Sequence, residues 1–553
     1  MEGVKWGSAQ RIGVIAGLCL VAPLLATTAG AVPLSSPSTV TLQLKWTQSL
    51  GKYDVWNPIA QSSPVEALIG GSTTAPTPAV VVGDRSGRLY ALNLTSGQGI
   101  RQGNNLVLRD PNVPIDSTPS VARLGANAKD TIFVGLGNRA VACSTTPGYL
   151  ALTSSGAVLW SNHTVDPPTD QSCAPGWPGV MSGLTLADLQ GGQLDAIGMS
   201  LGQGEMAFTA SGGAPLTGWN PWYQSDSSVS TPAVAKLPGH SGLSVIEGGD
   251  GTAGLSYGIQ YQDGGHLRIV GSTGNRGVAG PGGTICSYDT YANGGQIIES
   301  SPAVGDNLLP SSQGSVGIAT GIGFNSSHPS YQGAANLVVM LNEHCHVVWQ
   351  RSTDYETTSP ILADVMGLGQ DQVVIGTQAT TATGNAVQAG SLSAYRASDG
   401  HRYWRVETGP IVGAPVAADL TGQGYADLVV VTTNGSGGDG MEVIDGRTGH
   451  IVWTLSSLDP SPDFKGQNSP LITAEPDGHI GITVAGYGGV LAGTPDSGCT
   501  KAVAGNSPIC LVGRVLHFEV AGSSSTWLNN PLTSWLQFHH DPQLSGNTNG
   551  PTG

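Results

Sequence analysis

A two-residue step, a small residue and usually a proline, followed by a short apolar run, recurs eight times along this chain. The steps are Ser63-Pro64, Thr118-Pro119, Ser182-Gly183, Thr231-Pro232, Ser301-Pro302, Ser359-Pro360, Ala414-Pro415 and Ser469-Pro470. Pro64 and Pro119 stand 55 residues apart, as do Pro360 and Pro415, and Pro415 and Pro470. The best-preserved unit, Ala414–Leu455, contains four β-rich runs (APVAAD, DLVVVTT, MEVID, HIVWTL) separated by Gly-rich breaks. Each run has the length of a strand, and each break carries the residues tight turns need. A lone four-stranded sheet buries too little to be stable, so such units stack on one another. The expected fold is all-β: a single β-propeller of eight four-stranded blades.

Composition agrees. The chain has 82 Gly and 35 Pro in 553 residues, interleaved with Val, Ile, Leu and Thr rather than gathered in linkers. That is turn-rich β structure, not disorder. With a net charge of −16 and no Lys/Arg cluster, neither nucleic acid nor an anionic membrane is an expected partner. A monomer is expected.

Residues 1–31 read as a secretory signal. Lys5 and Arg11 precede an apolar run from Ile12 to Ala26, and Ala29-Gly30-Ala31 suits cleavage before Val32. Cys19 follows Leu18, a poor lipoprotein site. An uncleaved anchor is the alternative, since no charge falls between Arg11 and Lys45. The expected location is secreted or envelope-associated, with no membrane insertion after cleavage. Six cysteines remain, an even number that suggests disulfides in an exported chain. Local pairing is the simplest reading: Cys143–Cys173, Cys286–Cys345 and Cys499–Cys510.

The third and fourth runs carry a second marker, a Gly followed four residues later by Trp: Gly156–Trp160, Gly400–Trp404 and Gly449–Trp453. Cys345 takes the Gly slot before Trp349, Arg101 takes the Trp slot after Gly97, and the third repeat ends at Trp219. Trp on an outer strand can lock one blade to the next. GDRSGRLYALNLTSGQ and VIDGRTGHIVW resemble the repeats of quinoprotein-like (PQQ-like) β-propellers, over most of residues 40–521. The resemblance implies a structural, blade-docking role for Trp160, Trp219, Trp349, Trp404 and Trp453. Val40–Ser49, with Trp46, reads as the last strand of the eighth blade, so that strands from both termini close the ring in a propeller domain of residues 32–521. The tail, 522–553, resembles a short Trp/Phe–Asp–Gly terminal motif and is expected to pack on the closing blade, its end disordered. Insertions are expected at Gly264–Gly295 and Gly498–Pro508.

Three motifs raise chemistry. The turns Asp188–Asp195, Asp364–Asp371 and Asp419–Asp427 resemble the FG-GAP/VCBS turn of integrin-type propellers, whose full form is a calcium loop. Asp419 and Asp427 match its ends, but Thr421 and Gln423 stand where calcium needs further oxygen ligands, and the other two turns are one residue short. A quinone cofactor would need a catalytic Asp and a held calcium; no residue here has that context, and fold does not imply function. His539-His540-Asp541 and His344-Cys345-His346 lack standard metal spacing. No GxSxG, HExxH or P-loop occurs. No catalytic residue is assigned and no cofactor is expected beyond calcium at Asp419 and Asp427. The function that fits is an exported, non-catalytic scaffold binding an extracellular protein, glycan or cell-wall component. A divergent PQQ-dependent oxidoreductase is the alternative.

Overall fold

In a computed structural model, residues 39–551 are described apart from internal stretches, the longest being 51–57, 166–172, 276–282, 324–335, 434–439 and 492–508. Eight sheets of four main strands follow one another along the chain as the blades of a propeller. We letter the strands of each blade A to D, from the axis outward. The A strands begin near Val65, Ser120, Thr185, Ala233, Ala303, Ile361, Val416 and Leu471. Within its sheet each pairs with B only, so its other edge faces the axis. Blade 7 is typical: Val416–Ala418, Asp427–Val431, Met441–Ile444 and Ile451–Thr454. Its A, B and C strands are fully buried, while D alternates between exposed and buried, as an outer strand against solvent should.

Both termini build blade 8. Its A, B and C strands are Leu471–Ala474, Ile480–Leu491 and Ile509–Val520; its D strand is Leu42–Leu50, antiparallel to C. The ring is thereby shut by hydrogen bonds between the two ends of the domain.

The repeated opening step is a girdle around the axis. Proline lacks an N–H, which suits the first residue of a strand whose edge is unpaired. The hydroxyl before it ties blade to blade. Thr118 Oγ1 accepts from Ser63 N (3.1 Å), Thr231 Oγ1 from Gly183 N (2.8 Å), Ser301 Oγ from Thr231 N (2.9 Å), Ser359 Oγ from Ser301 N (2.9 Å) and Ser63 Oγ from Ser469 N (3.0 Å).

At the rim, Trp46, Trp160, Trp219, Trp349 and Trp404 dock on the C–D turn of the following blade. Trp46, Trp160, Trp349 and Trp404 donate Nε1 to the carbonyls of Leu94, Ala210, Ala397 and Gly446 at 2.6–2.8 Å. A Cβ added at Gly97, Gly213, Gly400 or Gly449 would fall 2.6–2.7 Å from the docked indole. The glycine is needed twice over, for its positive φ and for the bare face it turns to the ring. Trp219 does the same, bonding Ser272 O at 2.8 Å beside Gly274. Trp453 packs edge-on against Phe518 of blade 8. Between blades 4 and 5 the dock is covalent. Cys286 pairs with Ile269 in the register that Trp349 and Trp404 occupy in their blades, and its disulfide reaches Cys345 in the glycine slot. In blade 1 the Trp register falls to Arg109, not to Arg101; Arg101 instead donates to Leu108 O at 3.1 Å. The extra residues after Gly97 shift the spacing that the sequence reading relied on.

Gly264–Gly295 is not a simple insertion. Gly264–Gly271 and Thr284–Asp289 are strands C and D of blade 4. Glycine is required in C, where a Cβ at Gly265 would fall 2.6 Å from Ile298 N. Blade 4 is lengthened instead by the ribbon Gly254–Ser256 with Ile259–Tyr261, between B and C. Cys143–Cys173 is a second disulfide, at the end of blade 2 where Cys143–Ser144 pairs with Trp177–Pro178. The Cys499–Cys510 pairing and the signal segment lie outside the described residues.

The tail does more than touch the closing blade. Its carbonyls meet the free A-strand edges in ring order. Leu532 O accepts from Asp364 N in blade 6, Trp535 exchanges two bonds with Ala417 in blade 7, and Leu536 O accepts from Ile472 N in blade 8. Pro542, Gln543, Ser545 and Gly546 then serve Val121, Leu186, Val234 and Val304 in blades 2 to 5. Residues 532–548 thus run a near-complete circuit inside the ring, satisfying amides that would otherwise be buried unpaired. Trp535 and Leu544 are 1 % and 0 % exposed.

Candidate functional site: the channel mouth

The two faces of the ring differ. One carries the A–B and C–D connections, several of them short turns capped by an aspartate, though the C–D connections of blades 1 and 4 are longer. The other carries the D–A and B–C connections, among them 143–148, 176–181 and the ribbon Gly254–Ser256 with Ile259–Tyr261. The girdle of opening steps lies at this second face and surrounds a cavity of ≈ 140 Å³ on the axis. Phe538 of the tail forms part of its lining.

The wall is mostly hydroxyls, amides and glycine, with three carboxyls: Asp116, Glu299 and Glu356. Asp116 is held by Arg85, whose Nε and Nη2 donate at 2.9–3.0 Å. Glu299 pairs with Arg139, from the B–C connection of blade 2. Burial pushes Glu356 up to about 7, against the opposing pull of Arg139 and a hydrogen bond from Gln378. Sequence reasoning had singled out none of these residues. The opening steps pointed to the ring they belong to, but a carboxyl just before such a step has no signature of its own.

The turn Asp419–Asp427 lies on the opposite face. Asp419 Oδ1 accepts from Gly422 N (2.7 Å) and Gln423 N (3.0 Å), and Oδ2 from Gly424 N (2.8 Å). Gln423 Oε1 takes the Tyr425 hydroxyl, and Asp427 is 0 % exposed beneath Leu420 N and Thr421 Oγ1. Amide protons therefore occupy the carboxylate positions a calcium ion would need, and the middle residues are engaged elsewhere. The residues do not fit the calcium expectation; the Asp is a turn cap. Asp188 and Asp364 cap their turns in the same way, each through two backbone amides.

The histidine clusters are structural. His539 is 2 % exposed, its Nδ1 2.7 Å from Leu544 O and its Nε2 3.1 Å from Pro302 O, and burial lowers it to about 4. It pins the tail to blade 5. His344 and His346 flank the Cys286–Cys345 disulfide, their backbone amides both donating to Asn342 Oδ1. Among the described residues one further trio, Asp477, His479 and Glu519, has metal-ligand spacing. The Lys45 ammonium, 2.6 Å from Glu519, supplies the positive charge there.

Fold and ring together define an eight-bladed β-propeller. The family model described as outer membrane protein assembly factor BamB matches residues 334–503, so the repeats of that stretch are similar to those of the PQQ-like propeller family. No curated protein sequence matches the chain. Among solved structures, it is similar to BamB from Moraxella catarrhalis, at 12% identity and TM-score 0.45, covering 86% of this chain and 99% of that one. It is similar to a europium-containing methanol dehydrogenase at 12% identity and TM-score 0.48, covering 86% and 93%. It is similar, too, to Sqt1 of Saccharomyces cerevisiae, at 10% identity and TM-score 0.46, covering 85% and 98%.

A quinone cofactor does not fit the axial cavity. At ≈ 140 Å³ it is below the roughly 300 Å³ at which small-molecule sites begin. Its carboxyls are held by arginines or protonate readily.

Proposed function

We propose that this chain is an exported, non-catalytic propeller that docks an extracellular protein, glycan or cell-wall component on its channel-mouth face. The observation that carries this reading is the mouth itself: the tail lines the channel from within, and residues at the openings of all eight blades meet around one polar cavity. Variable loops on a rigid scaffold are how binding surfaces are commonly built. Two disulfides in the structure accord with an oxidising location. Among the described residues no helix is long and apolar enough to cross a membrane. The test is turnover. A dye-linked dehydrogenase assay over alcohols and aldoses, with quinone and calcium added, should give no rate above the protein-free control. A saturable rate would sink this reading and favour the oxidoreductase.

A further inference from the structure

The turn of blade 6 that opens on Asp364 holds a carboxyl the fold does not use. In blades 3 and 7 the aspartate that begins strand B, Asp195 or Asp427, stands opposite Ala187 or Ala418. There it accepts from a turn amide, Leu189 N at 3.1 Å or Leu420 N at 3.3 Å. In blade 6 the residue in that register, opposite Ala363, is Gln372, and its Oε1 takes Met366 N at 2.9 Å. Asp371 therefore stands one residue off the position that its spacing from Asp364 suggests. It is 9 % exposed, yet among the described residues no donor reaches either of its oxygens. Burial and the nearby Asp364 raise it to about 7, with His540 pulling the other way. A buried carboxyl without donors is costly, and one with no task inside the fold marks a place where something from outside binds.

Asp371 lines a cavity of ≈ 450 Å³ between blades 5 and 6, on the face opposite the mouth. Its Oδ1 is closed off, which leaves Oδ2 as the oxygen with surface. The tail begins its circuit at Leu532 and ends it at Thr548, and both border this space. Small-molecule sites span roughly 300–1,000 Å³, and the cavity falls in that range. No guanidinium answers Asp371. Arg396 borders the cavity but is held by Asp399, through Nε at 2.8 Å and through Nη2. On the blade 5 side Asp306 takes Asn549 Nδ2 at 2.9 Å on Oδ2, and no donor among the described residues reaches its Oδ1. The hydroxyls of Ser398, Tyr403 and Thr548 can donate or accept, and Leu308, Pro531 and Leu532 give an apolar side. Surplus carboxylates disfavour an anionic ligand. A bare cation would leave the hydroxyls and the apolar side unused. A sugar ring engages all three, because its hydroxyls donate, its oxygens accept and its C–H faces lie on apolar surface.

We propose that this cavity is a carbohydrate site distinct from the mouth, seating one sugar ring of a neutral glycan whose hydroxyls donate to the carboxylates of Asp371 and Asp306. The site stands independently of the docking-face reading and adds a second binding surface to it.

Calorimetric titration of the full exported chain with cellobiose, maltose, mannobiose, xylobiose and diacetylchitobiose tests this. At least one of these neutral disaccharides should bind saturably, and glucuronic acid should not. Asp371→Asn should weaken that binding about tenfold, as loss of a charged hydrogen-bond partner does. The same variant should leave the thermal midpoint unchanged or higher, since the carboxyl has no hydrogen bond inside the fold to lose. Asp306→Asn should weaken binding by a smaller factor. A midpoint lowered by Asp371→Asn with sugar affinity intact would make the residue structural and overturn the proposal. So would silence with every disaccharide on the wild-type chain, or putrescine or calcium binding more tightly than any of the sugars. The Glu299→Lys/Glu356→Lys variant at the mouth should bind the sugar as wild type does. Sugar binding lost in that variant and kept in Asp371→Asn would put the glycan at the mouth, supporting the docking face and removing this site.

Discussion

Replacing Gly449 by alanine separates the two demands that the blade-docking turn makes on its residue. Gly449 has φ +70°, and an added Cβ would lie 2.7 Å from the Trp404 indole. Gly424, in the Asp419 turn of the same blade, has φ +80° and open space where its Cβ would go. Left-handed backbone costs an L-residue roughly 1–2 kcal/mol, and both variants bear that. Only Gly449→Ala must also push Trp404 away from Gly446 O, its 2.7 Å acceptor. Overpacking of this kind typically adds about 1–3 kcal/mol. Gly449→Ala should therefore cost about 2–5 kcal/mol against about 1–2 kcal/mol for Gly424→Ala. Urea unfolding at matched m-values reads the difference. The excess should vanish in a Trp404→Ala background, giving a coupling of about 1–3 kcal/mol in the double-mutant cycle. Equal costs at the two glycines, or additivity with Trp404→Ala, would refute the docking account.

Other expectations follow from the same contacts. Because Cys286–Cys345 stands in for an indole dock, Cys286→Ser with Cys345→Ser should destabilise the ring by roughly 2–4 kcal/mol, read by thermal unfolding; an unchanged midpoint would contradict the substitution of one lock for another. Calcium from micromolar to millimolar should leave the melting temperature unmoved, whereas Asp419→Ala, which uncaps three close backbone amides, should lower it; a calcium-dependent rise would restore the metal loop. Buried His539, lowered to about 4 in the fold against about 6.5 when unfolded, contributes stability that is present above pH 6.5 and lost as pH falls toward 4. The raised carboxylates Glu66, Glu356 and Asp371 act in the opposite sense over much the same range, so the effect belongs to a difference: the gap between wild type and His539→Gln should shrink by on the order of 3 kcal/mol across that window. A pH-independent gap would mean His539 is not held neutral.

The blades were legible because each repeats a marker with its own physical necessity. Proline suits the unpaired axial edge, and glycine at positive φ lies beneath an indole. Even so, spacing alone does not give the partnership. Gly449 and Trp453 are four residues apart, yet Gly449 receives Trp404 from the blade before. A contact between neighbouring blades looks local in the sequence because every blade carries both halves of it. The Cys286–Cys345 pairing was expected from the sequence, but its place in the Trp register was not, since a cysteine does not resemble a Trp. The tail's circuit left no trace that could be read. It is made by backbone carbonyls meeting backbone amides, which any sequence can supply. At Asp419 the sequence leaves two roles open, because an aspartate that caps a turn and one that binds a cation sit at the same position; the residues between Asp419 and Asp427 decide. At the mouth, Glu356 and Asn468 drew no notice, since only the closed ring places them at one cavity.

The central claim is that partners dock on the channel-mouth face. Affinity capture from the exported fraction, run in parallel with wild-type protein, with a Glu299→Lys/Glu356→Lys variant at the mouth, and with Gly424→Ala on the opposite face, tests it most directly. The account predicts a co-eluting component that the mouth variant loses and the Gly424 variant keeps, all three proteins being folded by thermal unfolding. A component retained by the mouth variant and lost by the Gly424 variant would contradict it.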